Sequence, residues 1–480
     1  MNRGISGITL TILGCSILSG PALARPNILF ILVDDLAWTD LGSYGHPWHE
    51  TRQIDRLANE GMRFTQAYSP APICSAARAS ILTGKTTARL GFEFVVKAEP
   101  GKQIIEPTPP LRAPPYTITL DPSETTIAER LQKDGYETAY FGKWHLNPHY
   151  DGRYLGWDPD LGPARQGFEI AIEDFGSHPY SGRELKAIDE VGRFHPDGIT
   201  ERSIEFLKRD HQRPFFLMVS HFLVHTPMTS PHRWLLNKYE KIIPEDSPNR
   251  EKRVAYAACV ETLDYYVGEL LDALDETGLD DSTLIVFLSD NGGHPEYVSH
   301  SPLRGSKWNL YEGGVRVPLL IRWPGRVLPN SVRDTPVIGY DLFPTFAEVS
   351  GRPIDSVDQD GTSLLPLLSE SKGNLKRAMY WHFPYYHPEG SKFGQAIGKI
   401  GVDDFLISQT RPHSAVLKYP YKLIYFEERR KSELYNIEDD LSEQSDLSLS
   451  LPSVVKELSS ELRDYLQRVG ARRPTLPVSE

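Results

Sequence analysis

The sequence predicts an α/β fold: a large, mostly parallel sheet sandwiched by helices, followed by a smaller C-terminal α+β subdomain of antiparallel strands and one helix. Three observations carry this. Apolar runs of strand length recur up to about residue 370 and end in polar clusters, so they read as strands buried on both faces. Helical patterns alternate with them, the arrangement that builds a parallel sheet covered on both sides. Beyond residue 370 the texture changes to aromatic, alternating segments and a final amphipathic helix.

In chain order, residues 1–24 have the make-up of a signal peptide. Arg3 gives a positive start, Gly4 to Gly20 is largely apolar, and Ala22-Leu23-Ala24 is a small-x-small cleavage site. Export to the periplasm or the extracellular space is the expectation, with lipid anchoring through Cys15 as the weaker alternative. No later stretch is long and apolar enough to span a bilayer. Residues 25–370 form the expected main domain. Its apolar runs are 26–33, ending in Asp34-Asp35; 214–220, leading into His221 and His225; and 282–289, ending in Asp290-Asn291-Gly292-Gly293. Helical patterns cover 125–134, 200–209 and 253–277, and the Pro-rich stretch 95–120 reads as an inserted loop. Residues 371–480 form the expected subdomain, with strand-like segments at 380–386 and 421–426. Its helix carries Val454, Val455, Leu458, Leu462, Tyr465 and Leu466 on one stripe.

A chain of 480 residues, 40% hydrophobic and 24% charged, is long enough for both parts. Its formal net charge of −12 excludes the clustered basic face of a nucleic-acid binder. An anionic substrate stays possible, because the field in a cleft is set locally. Of three cysteines, Cys15 leaves with the leader, and Cys74 and Cys259 have no disulfide-scaffold spacing. Cys259, inside a helical pattern, reads as a small buried hydrophobe. Cys74 stands among small and polar residues at what reads as a helix start.

Asp34, Asp35, Asp290 and Asn291 fall at the carboxyl ends of two strands, where parallel sheets bind ligands. Three carboxylates and an amide carbonyl are the hard oxygen donors that Ca2+ or Mg2+ prefers, and zinc-type Cys/His spacing is missing. Arg78 follows Cys74 by four residues and so shares its helix face. A helix start also favours anions. Lys143 and His145, two apart, lie on one side of an extended segment; His225 and Lys307 complete the cationic set. Trp381, His382, Tyr385, Tyr386, His387 and Arg411-Pro412-His413 could wall a substrate pocket, or could pack the small subdomain. Candidate substrate contacts are His294, His382, Arg411 and His413.

Taken in order, Asp34-Asp35, Cys74-x-Ala-x-Arg78 with Leu82-Thr83-Gly84, Gly142-Lys143-Trp144-His145, His225-Thr226-Pro227, Ser289-Asp290-Asn291-Gly292-Gly293 and Leu303-Arg304-Gly305-x-Lys307 with Glu312-Gly313-Gly314 resemble the type I, formylglycine-dependent sulfatases of the alkaline-phosphatase-like superfamily. Glu433-Leu434-Tyr435-Asn436 resembles that family's C-terminal part. The resemblance implies hydrolysis of sulfate monoesters, with exo action on sulfated polysaccharide or glycosaminoglycan fragments. It implies Ca2+ held by Asp34, Asp35, Asp290, Asn291 and the side chain at 74, with Mg2+ as a substitute. It implies that a maturase converts Cys74 to formylglycine. One hydroxyl of the hydrated aldehyde, polarised by the metal and Arg78, would attack sulfur, and the second would let the aldehyde re-form and release sulfate. His145 would be the base of that release, Lys143 and Lys307 would neutralise the sulfuryl oxygens, and His225 would protonate the leaving oxygen. Position 76 is Ala where Pro is commonest, the form that goes with radical-type maturases. Two other readings are a phosphonate or phosphate ester hydrolase of the same superfamily, and a non-catalytic sulfated-glycan binder in which Cys74 stays a thiol.

Overall fold

The computed structural model describes residues 25–354, 358–369, 375–397, 400 and 408–477. The expected leader at 1–24, with Cys15, and the expected boundary at 370–371 lie outside them. The first part of the chain forms β1 (Asn27–Val33), β2 (Met62–Phe64), β3 (Ala67–Tyr68), β4 (Glu137–Gly142), β5 (Ile170–Ile172), β6 (Phe215–His221), β7 (Thr283–Ser289), β8 (Leu319–Arg322), β9 (Ser331–Arg333) and β10 (Val337–Ile338). Eight of these make one sheet in the order β5-β4-β6-β1-β7-β8-β2-β9, while β3 and β10 pair in a short parallel ribbon. The large sheet is parallel except at β8, which runs antiparallel to β7 and β2.

The unbroken apolar run of β1 is explained by its two neighbourhoods, since successive side chains of a strand point to opposite faces. Ile28, Phe30 and Leu32 enter a core with Ile81 and Leu82 of the helix Cys74–Thr83, Ile127 and Leu131 of Ile127–Lys133, and Phe346 of Leu342–Val349. Leu29, Ile31 and Val33 enter a second core with Ile54 and Leu57 of Arg52–Glu60, Phe206 of Gly198–Leu207, and Tyr256 and Leu263 of Arg250–Thr277. Cys259 belongs to this second core and is 3% exposed, the small buried residue the helical pattern expects. Helix limits follow local chemistry: Thr126 and Glu129 form a capping box, Asp197 accepts from Thr200 N at 3.0 Å, and Gly278 at φ +68° ends the long helix.

Register fixes where the strands stop. Val33 pairs with both His221 and Ser289, and Gly142 pairs with Ser220. The carboxyl ends of β1, β4, β6 and β7 therefore finish level along one edge.

The later chain forms a four-stranded antiparallel sheet of β11 (Met379–Phe383), β12 (His413–Lys418), β13 (Tyr421–Phe426) and β14 (Lys431–Asn436), in that order. The helix Pro452–Arg468 lays Leu458, Leu462, Tyr465 and Leu466 on Val416, Leu423 and Leu434. A buried polar network joins this sheet to the first part. Lys422 Nζ on β13 donates to Glu312 Oε1 (2.7 Å) and lies 3.0 Å from Glu443 Oε1. Tyr68 and Arg316 donate to Glu312 Oε2, each at 3.0 Å. No helix among the described residues is long and apolar enough to cross a membrane.

Candidate active site

Where β1 and β7 end, the backbone turns and leaves four polar side chains fully buried: Asp34, Asp35, Asp290 and Asn291. Asp35 turns at φ +62°, a left-handed conformation that aspartate tolerates better than most residues. Its N–H donates to Asp290 Oδ1 (3.2 Å), and Asn291 Nδ2 donates to its Oδ1 (2.6 Å), so the two strand ends are tied together. Three cations answer the three acids. Lys143 Nζ is 2.5 Å from Asp34 Oδ2, Lys307 Nζ is 2.6 Å from Asp35 Oδ2, and Arg78 Nε and Nη2 both lie 2.8 Å from Asp290 Oδ2.

Cys74 is the first helical residue of Cys74–Thr83 and is 2% exposed. Its Sγ faces Asp35 Oδ1 at 3.9 Å. Arg78, one turn on, shares its face as the spacing expects, and Nη1 donates to Ser220 Oγ (2.6 Å) and Lys143 O (2.8 Å). Burial, reinforced by Asp34, pushes the Cys74 thiol well above its ordinary pKa, so an unmodified thiol here stays protonated. Burial would raise Asp34 too, but Lys143, His225 and Arg78 hold it well below the usual range. Asp290 is pushed up to about 7 by burial and by Asp34, despite Arg78.

The segment carrying Lys143 and His145 is irregular, not the extended run that the sequence suggests. Gly142 sits at φ +108° and His145 at φ +60°. This swings Lys143 onto Asp34 and buries His145, both of whose ring nitrogens lack hydrogen-bond partners. A Cβ on Gly142 would meet Ser220 O at 2.0 Å. Gly142→Ala is therefore expected to destabilise the fold by at least about 2 kcal/mol and to cut activity by displacing Lys143. An alanine variant with an unchanged denaturant midpoint would contradict this. His225 Nδ1 bonds Thr226 O at 2.6 Å, which turns Nε2 to within 3.7 Å of Asp35 Oδ2. Burial lowers the pKa of both His145 and His225 well below the ordinary histidine value.

The residues fit a hard divalent cation. Asp34 Oδ1 and Asn291 Oδ1 are buried oxygens without a hydrogen-bond partner, the nearest guanidinium nitrogen to Asp34 Oδ1 being Arg78 Nη2 at 3.9 Å. Asp34, Asp35, Cys74 and His225 bring ligand-capable atoms within 4.8 Å of one another. The three acids and three basic residues balance without an ion. A divalent ion would leave the pocket positive, as an anionic ester requires.

Of the candidate substrate contacts, only His294 lies by this cluster, next to Lys307 with its ring 4.8 Å from Trp308. His382, Arg411 and His413 belong elsewhere. His382 is held by Ser414 Oγ (2.8 Å) and Arg472 O (2.7 Å), because β11 pairs it with Ser414 inside the small sheet. His413 Nε2 accepts from Leu310 N (2.9 Å) while its ring stacks on Phe426. Arg411 is taken by Gln409 and Glu428. Trp381 and Tyr385 pack inward, Trp381 Nε1 donating to Ser69 O (2.7 Å) and the Tyr385 ring lying 4.5 Å from that of Phe94 at a tilt of 32°. Tyr386 hydrogen-bonds Glu428 (2.6 Å), and His387 stands edge-on to Trp308. Sequence reasoning missed Ser220, which seats Arg78, and Tyr180, whose hydroxyl is 3.3 Å from His225 Nδ1. Ser220 ends an apolar run and could have been suspected; Tyr180 lies in a long loop with no local signal.

Known proteins resemble this chain in sequence and in fold. Residues 26–351 match the Sulfatase family model, and residues 306–400 match the model described as N-sulphoglucosamine sulphohydrolase, C-terminal. A sulfatase of Formosa agariphila is 29% identical over 93% of this chain and 90% of its own. Human arylsulfatase A is 32% identical over 82% of this chain and 78% of its own, and rat N-acetylgalactosamine-6-sulfatase 31% over 73% and 67%. Among solved structures, Ps i-CgsB superposes with a TM-score of 0.72 at 25% identity, covering 92% of this chain and 93% of that one. BT4656 in complex with its substrate D-glucosamine-2-N,6-O-disulfate superposes with a TM-score of 0.68 at 22% identity, covering 93% and 98%. With the acids, the cations and the helix that begins at Cys74 already gathered at one sheet edge, these matches place the chain in the sulfatase family, as a sulfuric ester hydrolase of alkaline-phosphatase-like fold.

Proposed function

We propose that this sulfatase removes sulfate from sulfated carbohydrates by exo action, with Cys74 converted to formylglycine and Ca2+ held beside it. The observation that carries the reading is the one buried cluster in which Cys74, three carboxylates, Asn291, Arg78, Lys143 and Lys307 adjoin. Asp34, Asp35, Asp290 and Asn291 would hold the cation, which supplies polarisation of the sulfate oxygens. An aldehyde at position 74 supplies, as its hydrate, one hydroxyl to take the sulfuryl group and another to let it go. A high-pKa thiol cannot do this, which favours the converted residue.

The chain's own side chains then have distinct tasks. Arg78, fixed by Ser220 and Asp290, orients the side chain at 74. Lys143 and Lys307 meet negative charge on the sulfuryl oxygens in a site without water screening. His145, whose ring nitrogens have no protein partner, takes the proton that release requires. His225 presents Nε2 to the departing sugar oxygen and would protonate it, its Nδ1 being engaged by Thr226 O. With Cys74 only 2% exposed, a projecting terminal sulfate reaches it more easily than one in mid-chain, which supports exo action. The sugar sulfate bound by BT4656 supports a carbohydrate leaving group. The apolar leader at 1–24 supports export.

A peptide mass from protein made in its own host tests the conversion, with a loss of about 18 Da expected at Cys74. Matched sulfate and phosphate monoesters test the reaction, a phosphate preference of about tenfold or more in kcat/KM overturning it. Chelation tests the metal. Treatment with EGTA is expected to cut kcat at least about tenfold and to lower Tm, because an ion bound only by the folded state stabilises it by mass action. Ca2+ should restore both, and insensitivity to chelation with no metal found by elemental analysis would sink the assignment.

A further inference from the structure

Four side chains that the chemistry above leaves unused stand around the entrance to the cluster: Lys97, His149, Tyr154 and Tyr180. Tyr180 is the innermost, its hydroxyl 3.3 Å from His225 Nδ1. Tyr154 follows edge-on to Tyr180, with ring centroids 4.9 Å apart, and His149 edge-on to Tyr154 at 4.6 Å. His149 and Tyr154 ride on the turn after His145, which Asn147 Nδ2 closes by donating to Gly156 O at 2.9 Å. Lys97 arrives from the Pro-rich insertion. The residue before it, Val96, donates its N–H to Ser75 Oγ at 3.1 Å, so the insertion is fastened beside the residue that follows Cys74.

Two properties of this wall point to a ligand. Tyr154 is 46% exposed although it stands close enough to Lys143, Lys307 and Cys74 to feel their charges. A large aromatic face left open beside a catalytic cluster is a stacking surface for the apolar face of a sugar ring. Lys97 is half-buried with its ammonium over the Phe94 ring at 5.7 Å, and it has no ion pair among the described residues. Glu389, the acid that acts on it, is already paired with Lys392 at 2.7 Å. His149 Nε2 is buried without a hydrogen-bond partner. A half-desolvated cation and an unsatisfied imidazole nitrogen side by side suit an anionic group.

We propose that this wall is a second subsite, in which the sugar ring bearing the scissile sulfate, or its neighbour, stacks on Tyr154 and a further anionic substituent binds Lys97 and His149. The proposal rests on the carbohydrate-sulfatase reading and narrows it to sugars with a second negative charge, carboxylate or sulfate.

The test uses the matured protein and three sulfated disaccharides that differ only at the neighbouring position: neutral, uronate, or a second sulfate. The wild-type protein is expected to favour one or both dianions over the neutral sugar by at least about tenfold in kcat/KM. Lys97→Met should bring that ratio to within about twofold, chiefly through KM, while Lys97→Arg retains most of it. Tyr154→Ala should raise KM for all three sugars more than for a small aryl sulfate. A wild-type ratio near one, or a ratio that survives Lys97→Met, overturns the subsite. If none of the sulfates is turned over by protein verified to carry formylglycine, the functional reading has failed instead. Titration calorimetry with the same three sugars then decides the subsite through the ratio of their Kd values, a tenfold preference supporting it and equal affinities removing it.

Discussion

Cys74→Ala is expected to lower kcat on any sulfate ester by at least about a thousandfold, because it removes the only atoms from which the sulfuryl acceptor can be made. The same change should shift Tm by no more than about 3 °C. Sγ makes one hydrogen-bond-range contact, with Asp35 Oδ1 at 3.9 Å, and truncation removes one atom from a helix packed on all sides. The contrast with Arg78→Ala makes the comparison informative. Arg78 is 1% exposed and holds Asp290, Ser220 and Lys143 O, so losing it leaves a buried carboxylate without its partner and should cost both activity and several degrees of Tm. Retention by Cys74→Ala of more than about a tenth of wild-type kcat would remove position 74 from the reaction.

Lys422→Met is expected to destabilise the protein by about 3–5 kcal/mol, a larger effect than truncating an ordinary core residue by one methyl. Lys422 is fully buried between Glu312 and Glu443, and Glu312 is also held by Arg316 and Tyr68. Removing the ammonium leaves two buried carboxylates near each other; burial, reinforced by Glu312, already raises Glu443 to about 7 with Lys422 present. Denaturant unfolding measures the loss. Lys422→Met/Glu443→Gln should recover part of it, since the second change removes the stranded charge. A Lys422→Met midpoint equivalent to less than about 1 kcal/mol of loss would show that the network does not hold the small sheet to the rest.

The parts of this site that were legible in the sequence are those set by a strand and the residues next to it. Asp34-Asp35 and Asp290-Asn291 each follow an unbroken apolar run, and an apolar run can be unbroken only where both faces of a strand are covered, which happens in the interior of a parallel sheet. Their convergence follows from adjacent strands in register. Arg78 was legible because helix geometry ties position i to i+4. The substrate side was not. His382 and His413 share composition with pocket residues, but antiparallel pairing put one against Ser414 and the other against Phe426, and no local pattern reveals a partner on a neighbouring strand. The spacing of Lys143 and His145 suggested an extended segment, whereas positive φ at Gly142 and His145 breaks that run and Lys143 lies against Asp34. Lys97 lay in a stretch rightly read as a loop, with nothing in its neighbours to signal that Ser75 would fasten it beside Cys74.

All ten residues of the helix that begins at Cys74 are buried, and Cys74 itself is walled in by Asp35 and the two lysines. In the finished fold the Cys74 thiol offers almost no surface to a second protein, being 2% exposed at the start of a wholly buried helix. The order of events in the cell is thereby constrained. If Cys74 is converted as proposed, the conversion is easiest before the sheet closes over the helix, while the thiol that ends 2% exposed is still open to a second protein.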